Sequence, residues 1–268
     1  MAHGARRWLS GLGLVAVTGA SLAGVAGTAA AAATARLPAR TTLAAHAVQE
    51  SARYLHLGSH GAAVKALQTQ LTALHYYLGK IDGKLGWNTM EAVWAFKEVQ
   101  FGKRIPPRPD IVGPTMWRQL KHPRAPRVLK PRGGPWRVEI NKNIGVLVLY
   151  KHDKVSLISH VSTAAYCRPD GCGWVTPDGK HRALWFTAGW VTGPLGSMFN
   201  PVVFTPDGAY AIHGEPNPTS TIGYDGVPLN PASHGCVRIP MDVSRIFHKL
   251  VRLGASHGTP IYIFGRNK

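Results

Sequence analysis

Three cysteines occur in the 268 residues, and one, Cys236, sits in the run Ser233-His234-Gly235-Cys236-Val237-Arg238. A cysteine attacks as its thiolate, so a catalytic thiol needs a base within reach or a field that stabilises the anion. Two histidines can serve. His234 is two residues away and on an extended chain shares a face with Cys236, but its ring need not reach the sulfur. His213 ends the run Tyr210-Ala211-Ile212-His213, and a histidine on a neighbouring strand approaches side-on. His213 is therefore expected as the base, with His234 as an orienter or an oxyanion neighbour. Gly214 and Gly235 permit close backbone approach. The amides of Gly235 and Cys236 can face a developing oxyanion, and Arg238 can hold a substrate carboxylate with two hydrogen bonds. Together these groups describe a cysteine acyltransferase or hydrolase. The chain has no HExxH run or other zinc-ligand set, which argues against metal-dependent hydrolysis, and the chemistry requires no metal or cofactor.

The compartment decides how the cysteines are read. Arg6 and Arg7 precede an apolar stretch, Leu9–Ala26, and an alanine-rich exit ending at Ala35. A positive start, an apolar middle and small residues at the end make residues 1–35 a secretory signal, with membrane contact only if it is retained. In an oxidising space a structural cysteine has a partner, and an odd count leaves one over. Cys167 and Cys172 flank the turn formers Pro169, Asp170 and Gly171, so this pair is expected to close a disulfide and leave Cys236 free. The net charge of +18 calls for a polyanionic partner. No zinc-finger spacing, basic heptad helix or aromatic RNA-binding motif accompanies it, so nucleic acid is set aside in favour of anionic wall polymers.

These groups must be positioned by folded segments. Residues 36–53 read as a flexible tether. Residues 54–121 carry three helical patterns. Val64, Leu67, Gln68, Leu71 and Leu74 form one stripe. Thr89 can cap a second helix with an apolar face of Ala92, Val93 and Phe96, and Gly113-Pro114 opens a third through Met116, Trp117 and Leu120. They predict a small, independent three-helix bundle. Residues 122–135 are basic and rich in Pro and Gly, the composition of a semi-stiff linker. From 136 to 268 the pattern changes to short β-rich runs: Trp136–Ile140, Gly145–Tyr150, Val155–Ser162, Trp185–Phe186, Val202–Phe204, Tyr210–Ile212 and Ile261–Phe264. A single helical pattern, Met241–Leu253, precedes the last strand. The fold class expected is α+β with two domains, the bundle followed by a mostly-β, sandwich-like domain with one late helix.

The helical segment, through LGSHGAAVKALQTQL, DGKLGWNT, AVWAFK and VGPTMW, resembles the peptidoglycan-binding domain of bacterial wall enzymes over roughly residues 55–120. It departs where KRIPPRPDIVGP replaces a short acidic-glycine turn. The β segment, through STA, TPDGKHRA, PLGSMFNPVVF, the upstream HG and SHGCVR, resembles the L,D-transpeptidase catalytic domain. Carried over, Cys236 matches the nucleophile and His213 the base, with Ser233, His234, Gly235 and Arg238 completing the motif. The resemblance implies a base oriented by a backbone carbonyl, so neither Asp225 nor Asp242 is promoted to a triad. The loop between His213 and Ser233 is slightly longer than the family pattern, and the Cys167–Cys172 pair stands outside it. The function this implies is exported, extracytoplasmic acyl transfer on peptidoglycan stem peptides and glycan, through a thioester on Cys236 and most often giving a 3→3 cross-link. An L,D-carboxypeptidase-type hydrolase and a non-catalytic peptidoglycan-binding protein are the alternatives.

Overall fold

The computed structural model describes residues 54–214 and 227–266. The expected signal segment and tether, Asp225 and most of the loop after His213 lie outside these residues. The helical segment begins with α1 (Ala62–Ala73), whose buried residues Val64, Leu67, Gln68 and Leu71 form the expected stripe. A glutamine in that stripe is tolerated because its amide is satisfied. Gln68 Oε1 accepts from the Gly83 amide at 2.9 Å, and Nε2 donates to Asp82 Oδ1 and Thr89 Oγ1, each at 3.0 Å. One side chain thus pins the glycine-punctuated loop to both helices.

The second helix, α2 (Trp87–Phe101), corrects two expectations. It starts before Thr89, with Gly86 as its cap, and Thr89 lies inside it as the partner of Gln68. It also buries most of its circumference, including Glu91, Lys97 and Glu98, rather than one apolar face. The third helix, α3 (Pro114–Lys121), opens with proline at its first turn, where the missing N–H costs nothing.

The β segment folds into two sheets and a small hairpin. The first sheet runs β3-β2-β1-β12-β6, from β1 (Arg137–Asn141), β2 (Val146–Lys151), β3 (Lys154–His160), β6 (Gly179–Arg182) and β12 (Pro260–Phe264). The second runs β11-β10-β9-β7, with β8 also paired to β9: β7 (Trp185–Phe186), β8 (Trp190–Gly193), β9 (Gly196–Val203), β10 (Ala211–Gly214) and β11 (Val237–Arg238). β4 (Cys167–Arg168) and β5 (Gly171–Cys172) form the hairpin, and α4 (Met241–Leu250) is the late helix. The chain is thus a helical N-terminal region followed by a mostly-β domain with a late helix.

Alternation along β2 explains how the segments meet. Leu147 and Leu149 join Val138, Ile140 and Leu157 in a core completed by Val202, Ile212 and Val237 of the second sheet and by Val243 and Phe247 of α4. Val146, Val148 and Tyr150 point the other way and, with Ile158, enter the core of the helices. The helices are therefore not an independent bundle: α2 is buried on nearly all sides because α1 and α3 cover part of it and the sheet covers the rest. Polar contacts follow the same seam. His160 Nδ1 lies 3.0 Å from both carboxyl oxygens of Glu98, and Arg104 bonds the carbonyls of Lys142 and Val161.

The basic Pro/Gly segment between helices and strands is equally tied down. The Arg124 amide donates to Gln100 at 2.8 Å, the Leu129 amide to buried Glu139 at 2.6 Å, and Tyr262 Oη to the Gly133 carbonyl at 3.2 Å. It is a strap bonded to α2, β1 and β12.

Candidate active site

Strands β10 and β11 run parallel, pairing Ile212 with Val237 and His213 with Arg238. Since alternate residues share a face, His213, Arg238 and Cys236 are brought to one side of the second sheet while Ile212 and Val237 fill the core on the other. All three of those side chains line a pocket of about 360 Å³, with Ser233, His234 and Tyr210.

The turn before Cys236 is set by Ser233. Its hydroxyl donates to the Cys236 carbonyl at 2.6 Å and accepts from the Gly235 amide at 3.1 Å. This local bonding is the physical use of a serine three residues before the cysteine. It also corrects one expectation: the Gly235 amide is engaged by Ser233 and does not face the pocket as an oxyanion donor. Gly235 is required for a different reason. Its φ of 145° is unfavourable for other residues, and a Cβ there would come within 2.0 Å of the Tyr210 ring. Gly214 is likewise a close-packing position, since a Cβ would meet Met241 and Ser244 of α4 at 2.9 Å.

His213 is buried, and its Nδ1 donates to the Gly214 carbonyl. A carbonyl only accepts, so the neutral ring carries its proton on Nδ1 and keeps the Nε2 lone pair for the pocket. Burial pulls the imidazole down to about 4, against the opposing Gly214 hydrogen bond and assisted by the Arg238 charge. Burial also pushes the Cys236 thiol up, while the Ala211 amide, 3.4 Å from Sγ, and the Arg238 charge pull it down. At neutral pH the pair therefore rests as thiol and neutral imidazole. Of the two forms of the thiol, the Arg238 charge favours the thiolate.

Asp242, in the first turn of α4, is pushed up to about 6 by burial. It has no role in orienting His213, whose Nδ1 is held by the Gly214 carbonyl. Cys167 and Cys172 are joined by a disulfide and Cys236 is a free thiol. The structure adds groups that sequence reasoning missed. Asp170 Oδ2 lies 2.5 Å from His234 Nε2, Trp174 packs edge-on against that ring, and the β8–β9 tip lines the pocket with Leu195 and Met198. In the sequence, Asp170 was read only as a turn former between the paired cysteines, and Leu195 and Met198 only as part of the run PLGSMFNPVVF. Nothing local tied Asp170 to His234 or Tyr210 to Gly235.

The L,D-transpeptidase catalytic domain model (YkuD) matches residues 135–263. Residues 135–263 belong to that family. The peptidoglycan binding domain model matches residues 60–101, ahead of the L,D-transpeptidase domain. A crystal structure of the L,D-transpeptidase from Xylanimonas cellulosilytica is similar at 29% identity and TM-score 0.65, covering 79% of this chain and 98% of that one. That of an L,D-transpeptidase from Stackebrandtia nassauensis is similar at 18% identity and TM-score 0.42, covering 79% of this chain and 95% of that one. No curated protein sequence matches the chain. An L,D-transpeptidase-family domain joined to a peptidoglycan-binding domain marks the chain as one that acts on peptidoglycan.

Proposed function

We propose that the protein is an exported L,D-transpeptidase that cross-links peptidoglycan stem peptides, most often 3→3, through a thioester on Cys236. The observation that carries this reading is that Cys236 and His213 line one pocket, with His213 Nδ1 held by the Gly214 carbonyl and Nε2 left to accept a proton.

In the first half-reaction Cys236 Sγ attacks the carbonyl before a terminal D-residue, and its proton passes to His213 Nε2. The Cys236 amide serves as the oxyanion donor, since the Gly235 amide is taken by Ser233. Collapse of the adduct breaks the peptide bond, and the imidazolium returns the proton to the departing amine. The Gly214 carbonyl, bonded to Nδ1–H, stabilises the ring while it is charged. In the second half-reaction the amine of another stem attacks the thioester, gives a proton to His213, and the proton returns to sulfur. Arg238 stabilises the thiolate at both ends and can hold the carboxylate of the donor stem.

Residues 1–35 direct export, so the site works outside the cytoplasm. The helical segment holds peptidoglycan, and the net charge of +18 retains the protein among anionic wall polymers. The test is incubation of the purified protein with disaccharide tetrapeptides, followed by muropeptide analysis. Cross-linked dimers with release of the terminal D-residue are expected. Tripeptides alone would make it a stem-trimming hydrolase, and unchanged substrate with no carbapenem adduct on Cys236 would leave only a binding role.

A further inference from the structure

The Cys167–Cys172 pair stands outside the family resemblance, and the structure shows what it reaches. The disulfide closes hairpin β4–β5, in which Cys167 pairs with Cys172 and Arg168 with Gly171. Asp170 lies in its turn, and its carboxylate meets His234, 64 residues further along and two before Cys236. The chain leaving the hairpin is anchored as well, with the amides of Gly173 and Trp174 both donating to the Tyr166 carbonyl. Trp174 then stands edge-on to the His234 ring, centroids 4.7 Å apart. The His234 side chain is only 12% exposed, and it lines the same pocket as Cys236 and His213.

We propose that Asp170 is a positioning residue of the Cys236 site: its carboxylate fixes the His234 imidazole against Trp174 as one wall of the pocket, and the disulfide hairpin is the scaffold that holds that carboxylate in place. This rests on the reading of Cys236 as the nucleophile. A carboxylate only accepts, so His234 Nε2 carries the proton in this pair. The alternative use of the disulfide, raising the stability of the whole chain, is the weaker account, because so short a loop loses little freedom on closure. Strands of two residues are also too short to hold their own geometry, so covalent closure matters most for where the turn points. A misplaced pocket wall costs rate even when the nucleophile and base are intact.

The experiment measures carbapenem acylation of Cys236 by intact mass in the full chain, together with the ¹⁵N signals of the His234 ring. Asp170→Ala should slow acylation about ten-fold and shift the His234 ring signals, in line with the sensitivity of such sites to small displacements. Asp170→Asn keeps a carbonyl acceptor and should recover most of the rate, a rescue that a general loss of hairpin stability would not show. Replacing Cys167 and Cys172 together by serine should give a similar loss, and adding Asp170→Ala to that variant should cost little more, because both changes remove the same support. Thiol counting and a melting curve confirm that the single variant keeps its disulfide and fold. Wild-type acylation rate with unchanged His234 signals in Asp170→Ala would overturn the proposal and leave the nucleophile standing. Absence of acylation at Cys236 in the wild type would instead remove the nucleophile, and the proposal with it.

Discussion

Two places in this molecule bury a histidine beside an arginine and an acidic partner. At the seam between helices and sheet stand His160, Arg104 and Glu98. In the pocket stand His213, Arg238 and Cys236. Burial pulls both imidazoles down, to about 3 for His160 and about 4 for His213, and in each case the arginine charge adds to the shift. The difference lies in the hydrogen bonds. His160 Nε2 donates to the Pro228 carbonyl at 3.2 Å, so its Nδ1 must accept, and the proton between it and Glu98 belongs to the carboxyl. Burial raises Glu98 well above its usual range, which fits a neutral acid–imidazole pair. Trp94 packs edge-on at 5.5 Å and closes that site. His213 spends only Nδ1 on the backbone and opens on a cavity that also holds a thiol. A buried, shifted histidine is thus common to a structural seam and the proposed reactive site. What separates them is a nitrogen left for a substrate.

The comparison can be broken most directly at the histidines. His213→Gln should lower Cys236 acylation at least about 100-fold, the usual scale for losing a general base. His160→Gln should leave acylation of the folded protein within a few-fold. Equal losses in acylation assays of the two folded variants would erase the distinction.

The seam itself is tested by removing the helices. A fragment of residues 136–268 exposes Val146, Val148, Tyr150 and Ile158, which the helices bury. Each contributes about 1.5–3 kcal/mol on burial, so together they rival the roughly 5–15 kcal/mol of a typical domain. The fragment should be insoluble or unfolded by circular dichroism. A soluble fragment with a sharp melt and full acylation would show that the two segments are independent after all.

A smaller effect sharpens the protonation argument. Glu98→Gln keeps a neutral donor for His160 Nδ1 and should cost under about 1 kcal/mol in denaturant unfolding, whereas Glu98→Ala leaves a buried nitrogen unpaired beside a cavity and should cost roughly 2–4 kcal/mol. If Glu98→Gln is as damaging as Glu98→Ala, the pair is ionic rather than neutral.

The last expectation is a nearly flat profile. With thiol and imidazole both neutral at rest, acylation should change little between about pH 5 and about pH 8. It should fall as the pH drops through about 4, where His213 becomes protonated and can no longer accept the thiol proton. A midpoint near 6.5 in that acid limb, measured with a pH-stable carbapenem, would mean that His213 is not desolvated as its burial implies.

Much of this was legible in local order. The stripe of α1, the proline that opens α3, the late helix and the strands around His213 follow from spacing, since each pattern repeats with the period of its own element. The placing of Cys236 and His213 in one pocket agrees with what the SHGC turn and an upstream histidine suggested. The sequence alone also identified the cysteine pair as a closed turn. The tertiary structure decided what periodicity does not encode. A helix covered on nearly all sides has no single apolar face, so the partner of α2 was invisible until β2 and β3 came beneath it. The Gly235 amide could be read as an oxyanion donor until the Ser233 hydroxyl was seen to occupy it. Asp170 and His234 are 64 residues apart, and Tyr210 limits the space at Gly235 from the segment just before β10. Such contacts join positions with no fixed relation along the chain, and only the packing of sheet, hairpin and helices brings them together.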